Sequence, residues 1–218
     1  NYSSWSMRPW VLMTQAGIPF EEVKLRFDSF APDSQFKRQI GAVNPAGKVP
    51  LLLDGTLAVW DSLAIAEYLA ETHPELTLWP RGAPERVRAR SVCAEMHSGF
   101  GALRSACGMN IEARLPEVGA ILWRDHAGVR ADVARIVQIW QSLLAEHGGP
   151  MLFGRFGIAD AFYAPVVMRL KTFSLPVPDD VAAYMERVCA LPGVAAWIEG
   201  ALAEQDFRPF EEPYRVAR

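Results

Sequence analysis

The stretch NPAGKVPLLLDGTLAVWDSLAIAEYL, residues 44–69, carries the clearest fold signal in the chain. Two short apolar runs flank Asp54 and Gly55, and this pattern predicts a β-hairpin closed by a tight turn. The apolar spacing after Ser62 predicts a helix with this serine at its start. Pro50 lacks an N–H, so the first strand of the hairpin either begins there or lies at a sheet edge.

The residues before this stretch show a mixed pattern of helix and strand signals. RPWVLMTQAG predicts a helix over residues 8–16, with Pro9 in its first turn and Gly17 as its stop. EEVKLRF alternates charged and apolar residues, which predicts a strand, and SQFKRQI predicts a short helix. We therefore expect a small α/β domain over residues 1–74.

The segment HPELTLWPRGAPE has three prolines and one glycine in thirteen residues, which predicts a linker over residues 75–84. Strand signals then almost vanish, so we expect an all-helical domain over residues 85–218. The helical segments are ERVRARSVCAEMHSGFGALRSA, GVRADVARIVQIWQSLLAEHG, IADAFYAPVVMRLKTF, DDVAAYMERVCA and VAAWIEGALAEQ.

The composition is that of an ordinary globular protein, with 50% hydrophobic and 22% charged residues among 218. A formal net charge of −3 gives no general attraction to nucleic acid or to anionic lipid. No apolar run approaches the ~20 residues of a membrane helix, and no signal peptide is visible. We expect neither a nucleic-acid nor a membrane partner.

The cysteines and histidines argue against redox and metal sites. The three cysteines form no C-x-x-C pair, and the four histidines have no metal-ligand spacing. We therefore expect no bound metal. Three separate reduced thiols are typical of a cytosolic protein, so we expect a cytoplasmic location.

The junction between the hairpin and the following helix is a candidate ligand site. The start of a helix, with its free amides and the Ser62 hydroxyl, suits a carboxylate, and the neighbouring Asp61 suits an ammonium group. A plain helix cap with an acid beside it explains the same spacing. A cis bond between Val49 and Pro50 would expose the Val49 backbone to a peptide ligand.

Four segments in this order and spacing, SSWSMRPW, NPAGKVPLL, DSLAIAEYL and FGIADAFYAP, resemble a soluble glutathione transferase. The resemblance spans the chain except for a first strand, which we expect to be missing before Asn1. It implies a thioredoxin-like first domain, an all-helical second domain and a homodimer. It also implies glutathione as cosubstrate, a role in detoxification, and an open site between the domains for small hydrophobic electrophiles.

The resemblance assigns a glutathione site to the first domain. Val49 would hold the cysteinyl part of glutathione through its backbone, next to a cis Pro50. Asp61 and Ser62 would bind the γ-glutamyl ammonium and carboxylate. Lys48 falls near the glycyl end, although a solvated surface lysine explains it equally well. In the second domain, Asp160 matches a structural helix-capping acid.

The opening motif is most similar to the serine-type theta, delta and zeta classes. Ser3 falls on the position of the usual catalytic serine, and Ser4 beside it is the alternative. Trp5 replaces the cysteine of the zeta motif, which argues against maleylacetoacetate isomerase activity. Tyr2 remains a rival hydroxyl, and we expect Ser6 to cap the first helix.

The candidate residues for the electrophile pocket come from both domains. Met96, Phe100 and Arg104 lie near helical spacing and could share one face, and Trp5 and Arg8 from the opening segment are further candidates. The alternative is that this stripe belongs to the core or to a dimer interface. Arg8 faces either the ligand pocket or the domain interface.

The leading hypothesis is therefore a glutathione S-transferase that adds the thiol of glutathione to an electrophilic carbon or displaces a leaving group. One alternative is a protein of the same fold that binds glutathione or an apolar ligand without chemistry. Others are a glutathione-dependent isomerase and a dimerisation module. Disulfide reduction usually requires an active-site cysteine, and the serines of the opening motif argue against it.

Overall fold

The computed structural model describes residues 1–218, which form ten α-helices and one two-stranded antiparallel sheet. The strands are β1 (Leu51–Asp54) and β2 (Leu57–Trp60). The helices are α1 (Ser4–Ala16), α2 (Gln35–Gly41), α3 (Ser62–Thr72), α4 (Ala83–Ser98), α5 (Gly101–Ala106), α6 (Pro116–Asp125), α7 (Ala127–His147), α8 (Ile158–Thr172), α9 (Asp179–Ala190) and α10 (Pro192–Ala203).

The predicted hairpin and the helix after it are confirmed. Strand β1 pairs with β2 so that Leu51 faces Trp60, and Gly55 in the turn has the positive φ of 56° that glycine tolerates. Helix α3 begins at Ser62, as predicted, and its N-cap is Asp61, whose carboxylate accepts the Leu63 N–H at 2.8 Å.

Helix α1 begins at Ser4, one turn earlier than predicted. Its N-cap is Ser3, whose Oγ accepts the Ser6 N–H at 3.3 Å, so the expected capping role of Ser6 is wrong. Pro9 lies inside the helix rather than in its first turn. The start was placed too late because proline is most common in the first turn of a helix.

The strand predicted for EEVKLRF is wrong, since residues 21–27 adopt no regular secondary structure. A strand needs a hydrogen-bonded neighbour, and the sheet consists of β1 and β2 alone. The segment is instead held by exposed ion pairs, Lys24 to Glu204 at 3.3 Å and Arg26 to Asp206 at 2.7 Å.

The first long helical segment after the linker is broken in two. Phe100 has a φ of 55°, so the chain leaves α4 at Ser98 and starts α5 at Gly101. Gly99 is required at this break because a Cβ there would lie 2.6 Å from the Glu95 carbonyl oxygen. Helix α6, which begins at Pro116, was not predicted.

Helix α8 forms the centre of the core and is buried along almost its whole length. Asp160 at its start accepts the N–H groups of Leu152 and Gly157 at 3.1 Å and the Tyr184 hydroxyl at 2.9 Å, which confirms its structural capping role. Helix α1 packs against both α8 and α10. This packing places the start of α1 where the N-terminal and C-terminal parts of the chain meet.

Candidate active site

An open cleft of about 2130 Å³ runs from the start of α1 past the hairpin and α3 to the end of α5. Most of the site residues predicted from the sequence lie along it, and those are Ser3, Ser4, Trp5, Lys48, Val49, Pro50, Asp61, Ser62 and Arg104. Segments far apart in the sequence therefore meet at one surface.

The hydroxyl groups at the start of α1 differ in what they contact. Ser3 Oγ accepts the Ser6 N–H and lies 2.9 Å from Ser6 Oγ, so this hydroxyl is engaged in the helix cap. Ser4 Oγ accepts a hydrogen bond from Arg169 Nη2 at 3.1 Å, and no acceptor in the chain takes its own proton. The partial positive charge of a helix N-terminus acts on both positions.

Tyr2 is not a competing active-site hydroxyl. Its O–H donates to Glu212 Oε1 at 2.6 Å, and burial together with this carboxylate raises the pKa of Tyr2 to about 12. A phenol held this way next to an anion would not stabilise a second anion.

The loop before β1 presents free backbone groups to the cleft. The Val49–Pro50 bond is cis, as the resemblance implies, and the Val49 N–H and C=O make no hydrogen bond within the chain. Asn44, which is fully buried, holds the loop by donating to the Lys48 carbonyl at 2.7 Å and by accepting the Ala46 N–H at 3.0 Å. An extended peptide is a suitable partner for such a free pair.

Asp61 and Ser62 both face contacts from outside α3. One oxygen of Asp61 caps the helix, and the other lies 3.3 Å from His97 Nε2 on α4. Ser62 is buried, and its Oγ accepts from Arg8 Nη1 at 3.2 Å, so its own proton remains available to a ligand. The pair is thus connected to α1 and to α4.

Trp5 contacts two guanidinium groups. The Cζ atom of Arg8 is 4.3 Å from the Trp5 ring centroid, and that of Arg104 is 4.8 Å away. Arg8 also lies over Phe162 and has no carboxylate partner, and its burial lowers its pKa to about 10. Of the two interpretations of Arg8, the domain interface fits, because this side chain is buried and does not line the cleft.

Two candidate pocket residues lie in the core instead. Met96 is 2% exposed and Phe100 is 7% exposed, and neither lines the cleft. Helix α4 packs against α8, which turns the apolar stripe inward. A pocket role for these two side chains therefore does not fit, whereas Arg104 does reach the cleft.

The His, Cys, Asp and Glu side chains are dispersed, and no three of them converge to hold a metal ion. The three cysteines are free, and burial raises the pKa of Cys107 to about 12. No single helix is both long and apolar enough to cross a membrane; α9 and α10, which meet at 76°, reach that length and hydropathy only together.

Two family models match the sequence and together cover most of the chain. The model of the glutathione S-transferase N-terminal domain matches residues 2–72, and the model of the C-terminal domain matches residues 92–200. The chain belongs to the glutathione S-transferase family. Its fold is thioredoxin-like in the N-terminal part and helical in the C-terminal part.

Similar proteins include members from several organisms. The chain is 26% identical over 178 residues to a probable maleylacetoacetate isomerase of Caenorhabditis elegans, covering 79% of this chain and 76% of that protein. It is 29% identical over 170 residues to glutathione S-transferase Z1 of Arabidopsis thaliana, covering 76% and 72%. A Burkholderia glutathione transferase homolog, solved with bound glutathione, superposes with a TM-score of 0.67 at 25% identity, covering 91% and 92%.

Two residues at the candidate active site of this glutathione S-transferase were missed by sequence reasoning. His97 contacts Asp61, and Arg169 contacts Ser4, and both reach the cleft from the helical part of the chain. Neither contact has a local signal, because each joins residues far apart in the sequence.

Proposed function

We propose that this glutathione S-transferase binds glutathione in the cleft and ionises its thiol for attack on small hydrophobic electrophiles. The observation that carries the proposal is Ser4: its hydroxyl lies at the N-terminus of α1, lines the cleft, and has an uncommitted proton. A hydroxyl in this position donates to a thiolate and needs no proton-relay base. A serine nucleophile, in contrast, would need one.

The other contacts of glutathione follow from the lining of the same cleft. The free backbone of Val49 pairs with the cysteinyl part, beside Pro50. The Asp61 carboxylate binds the γ-glutamyl ammonium, while the Ser62 hydroxyl and the α3 N-terminus bind the γ-glutamyl carboxylate. Lys48 binds the glycyl carboxylate. Ser3, which the motif position favours as the catalytic serine, supports the site as the helix cap.

The organisation of the chain is part of the proposal. Residues 1–74 form the glutathione-binding domain, residues 75–84 the linker, and residues 85–218 the domain that binds the electrophile. The family resemblance supports a homodimer acting in detoxification in the cytoplasm. Trp5 and Arg104 border the electrophile, because they line the cleft beside Ser4.

Thiol ionisation alone accounts for a small part of the catalysis. A free cysteine thiol has a pKa of about 8.5, so only ~3% is thiolate at pH 7. A hydroxyl hydrogen bond of about 1.5–3 kcal/mol and a helix N-terminus of about 0.3–1 kcal/mol would lower this pKa by roughly two units. The thiolate fraction then rises about 25-fold, while intrinsic nucleophilicity falls nearly tenfold. Alignment of the electrophile beside the sulfur supplies the rest.

The test is turnover of a chromogenic aryl halide with glutathione, together with titration of the bound thiol by its ultraviolet thiolate absorbance. We expect Ser4→Ala to lower the turnover by up to about threefold, which is the net gain from thiol ionisation, and to raise the thiol pKa. We expect Ser3→Ala to keep the turnover and the thiol pKa of the wild type. A bound thiol that titrates as it does in free solution would refute the proposal and would favour a non-catalytic glutathione-binding protein.

A glutathione-dependent isomerase is a second candidate, supported by the similarity to the probable maleylacetoacetate isomerase. The replacement of the zeta-motif cysteine by Trp5 weighs against it. The two activities differ in the fate of the cosubstrate, because an isomerase returns glutathione and a transferase consumes it. Incubation with maleylacetoacetate and measurement of free thiol distinguish them.

A further inference from the structure

Positive groups gather at the start of α1 without a paired carboxylate. Arg169 on α8 is 6% exposed, and no acidic side chain forms an ion pair with it. Its Nη1 donates to the carbonyls of Cys107 at 2.6 Å and Arg104 at 3.2 Å, and its Nη2 donates to Ser4 Oγ. Burial lowers the pKa of Arg169 to about 10, so the side chain is charged at neutral pH.

A buried cation in this place is unfavourable unless an anion joins it. Desolvation of an unpaired charge is costly, and the N-terminus of α1 adds positive potential to the same region. The two carbonyls from the end of α5 offset part of this cost, and Glu211 acts from beyond hydrogen-bonding distance. The Arg104 guanidinium adds a further positive charge. An anion in the adjoining cleft is what this charge distribution favours.

The contact with Arg169 also fixes what Ser4 can do. A hydroxyl has one donor proton and two acceptor lone pairs, and the guanidinium occupies one lone pair. A hydroxyl that accepts from a charged donor is polarised and becomes a stronger donor through its own proton. Since no group in the chain accepts that proton, it is available to a ligand in the cleft.

We propose that Arg169 is a positioning residue that directs the Ser4 hydroxyl at the sulfur of bound glutathione and stabilises the thiolate through it. The inference rests on the proposed function and adds to it a residue from the helical part of the chain. The thiol proton leaves to solvent, and neither Ser4 nor Arg169 takes it up. Arg169 does not contact the sulfur and acts through Ser4.

The competing explanation is that Arg169 only ties α8 to the end of α5. The two explanations differ in the pKa of the bound thiol, which can be followed by thiolate absorbance in complexes of the protein with glutathione. We expect Arg169→Met to raise that pKa by about 1, which lowers the thiolate fraction up to tenfold. Arg114→Met is the matched control: Arg114 also donates to two backbone carbonyls, but it touches no serine and does not line the cleft.

A double-mutant cycle separates action through Ser4 from a direct effect. We expect Ser4→Ala combined with Arg169→Met to raise the thiol pKa no further than the larger single change. Additive effects of the two changes, or an unchanged pKa in Arg169→Met, would overturn the inference. If the thiol of glutathione bound to the wild-type protein titrates like that of free glutathione, the proposed function is wrong, and the role of Arg169 is wrong with it.

Arg169→Lys is a second test of the same role, for the case that Arg169→Met does not fold. The lysine ammonium group retains the charge and can donate to the carbonyls at the end of α5. It lacks the second nitrogen of the guanidinium group, which is the one that donates to Ser4. We expect this variant to unfold near the wild-type temperature. We expect it to raise the thiol pKa when Ser4 is present and to have no effect on that pKa in a Ser4→Ala background. A thiol pKa equal to that of the wild type in a folded Arg169→Lys protein would also contradict the role.

Discussion

His97 Nε2 lies 3.3 Å from Asp61 Oδ2, so a side chain of α4 contacts the carboxylate that we assign to the γ-glutamyl ammonium. Burial lowers the pKa of His97, although Asp61 opposes this shift, and Arg8 and Arg104 add to the lowering. The imidazole is therefore neutral at pH 7 and can donate an N–H to Asp61 without cancelling its charge. It orients the carboxylate for a cationic ligand.

This contact predicts that glutathione binding weakens in acid. The lowered pKa means that His97 gains its proton only below the usual value of about 6.5. Once charged, it competes with the γ-glutamyl ammonium for Asp61. We expect the Kd of S-methylglutathione, which has no ionisable thiol, to rise as the pH falls from 7 to 5.

His97→Asn keeps an N–H donor and cannot take up a proton, so we expect its Kd to stay flat over the same range. His126→Asn is the matched control, because His126 caps α7 and does not line the cleft. Calorimetric titration at half-unit pH steps provides the measurement. An acid limb that persists in His97→Asn would assign the effect to another group.

Substitutions of the two serines at the start of α1 should have different effects: those of Ser3 on the free energy of unfolding, and those of Ser4 on the pKa of the bound thiol. Ser3→Ala removes the N-cap and should lower the free energy of unfolding by about 1 kcal/mol. Ser3→Asp restores a capping side chain, but its carboxylate lies next to the thiolate site, so we expect near wild-type stability with a raised thiol pKa. Urea denaturation and thiol titration of both variants check the division. A stable Ser3→Ala protein with a raised thiol pKa would reverse the roles of Ser3 and Ser4.

Asp160 predicts a large loss of stability with no direct effect on the chemistry. In Asp160→Ala, two buried backbone N–H groups and the Tyr184 hydroxyl lose their acceptor, which should cost about 3 kcal/mol. That corresponds to a fall in Tm of roughly 6–12 °C for a chain of this size. Asp160→Asn retains one acceptor oxygen and should lose about half as much, as measured by thermal unfolding. Equal losses in the two variants would mean that packing rather than hydrogen bonding sets the cost.

Local patterns in the sequence were enough to predict the hairpin and α3. The Asp54 and Gly55 turn and the spacing after Ser62 act over a few residues, so no distant contact could override them. The family motif then brought Val49 and Asp61 to one cleft, where the structure places both.

Except for the start of α1, the main incorrect predictions share one cause, which is contact between distant parts of the chain. EEVKLRF alternates as a strand does, but no neighbouring strand pairs with it. The stripe around Met96 is helical, but only its packing against α8 shows that it faces the core. The contact of Ser4 with Arg169 joins residues 165 positions apart, and only the folded chain brings them together.

Trp5 supplies a last prediction, because its ring contacts the guanidinium groups of both Arg8 and Arg104. The ring attracts each of the two cations, with about 0.5–2 kcal/mol for each pair depending on desolvation. Trp5→Leu removes both attractions, while the repulsion between the Arg8 and Arg104 charges remains. We expect the free energy of unfolding of Trp5→Leu to fall by about 1–2 kcal/mol. This loss should be smaller in high salt, because salt screens the repulsion. Trp5→Phe keeps an aromatic face and should lose less. Urea denaturation of both variants at 0.05 M and about 1 M salt measures the effect, and equal, salt-independent losses would show that ring volume alone matters.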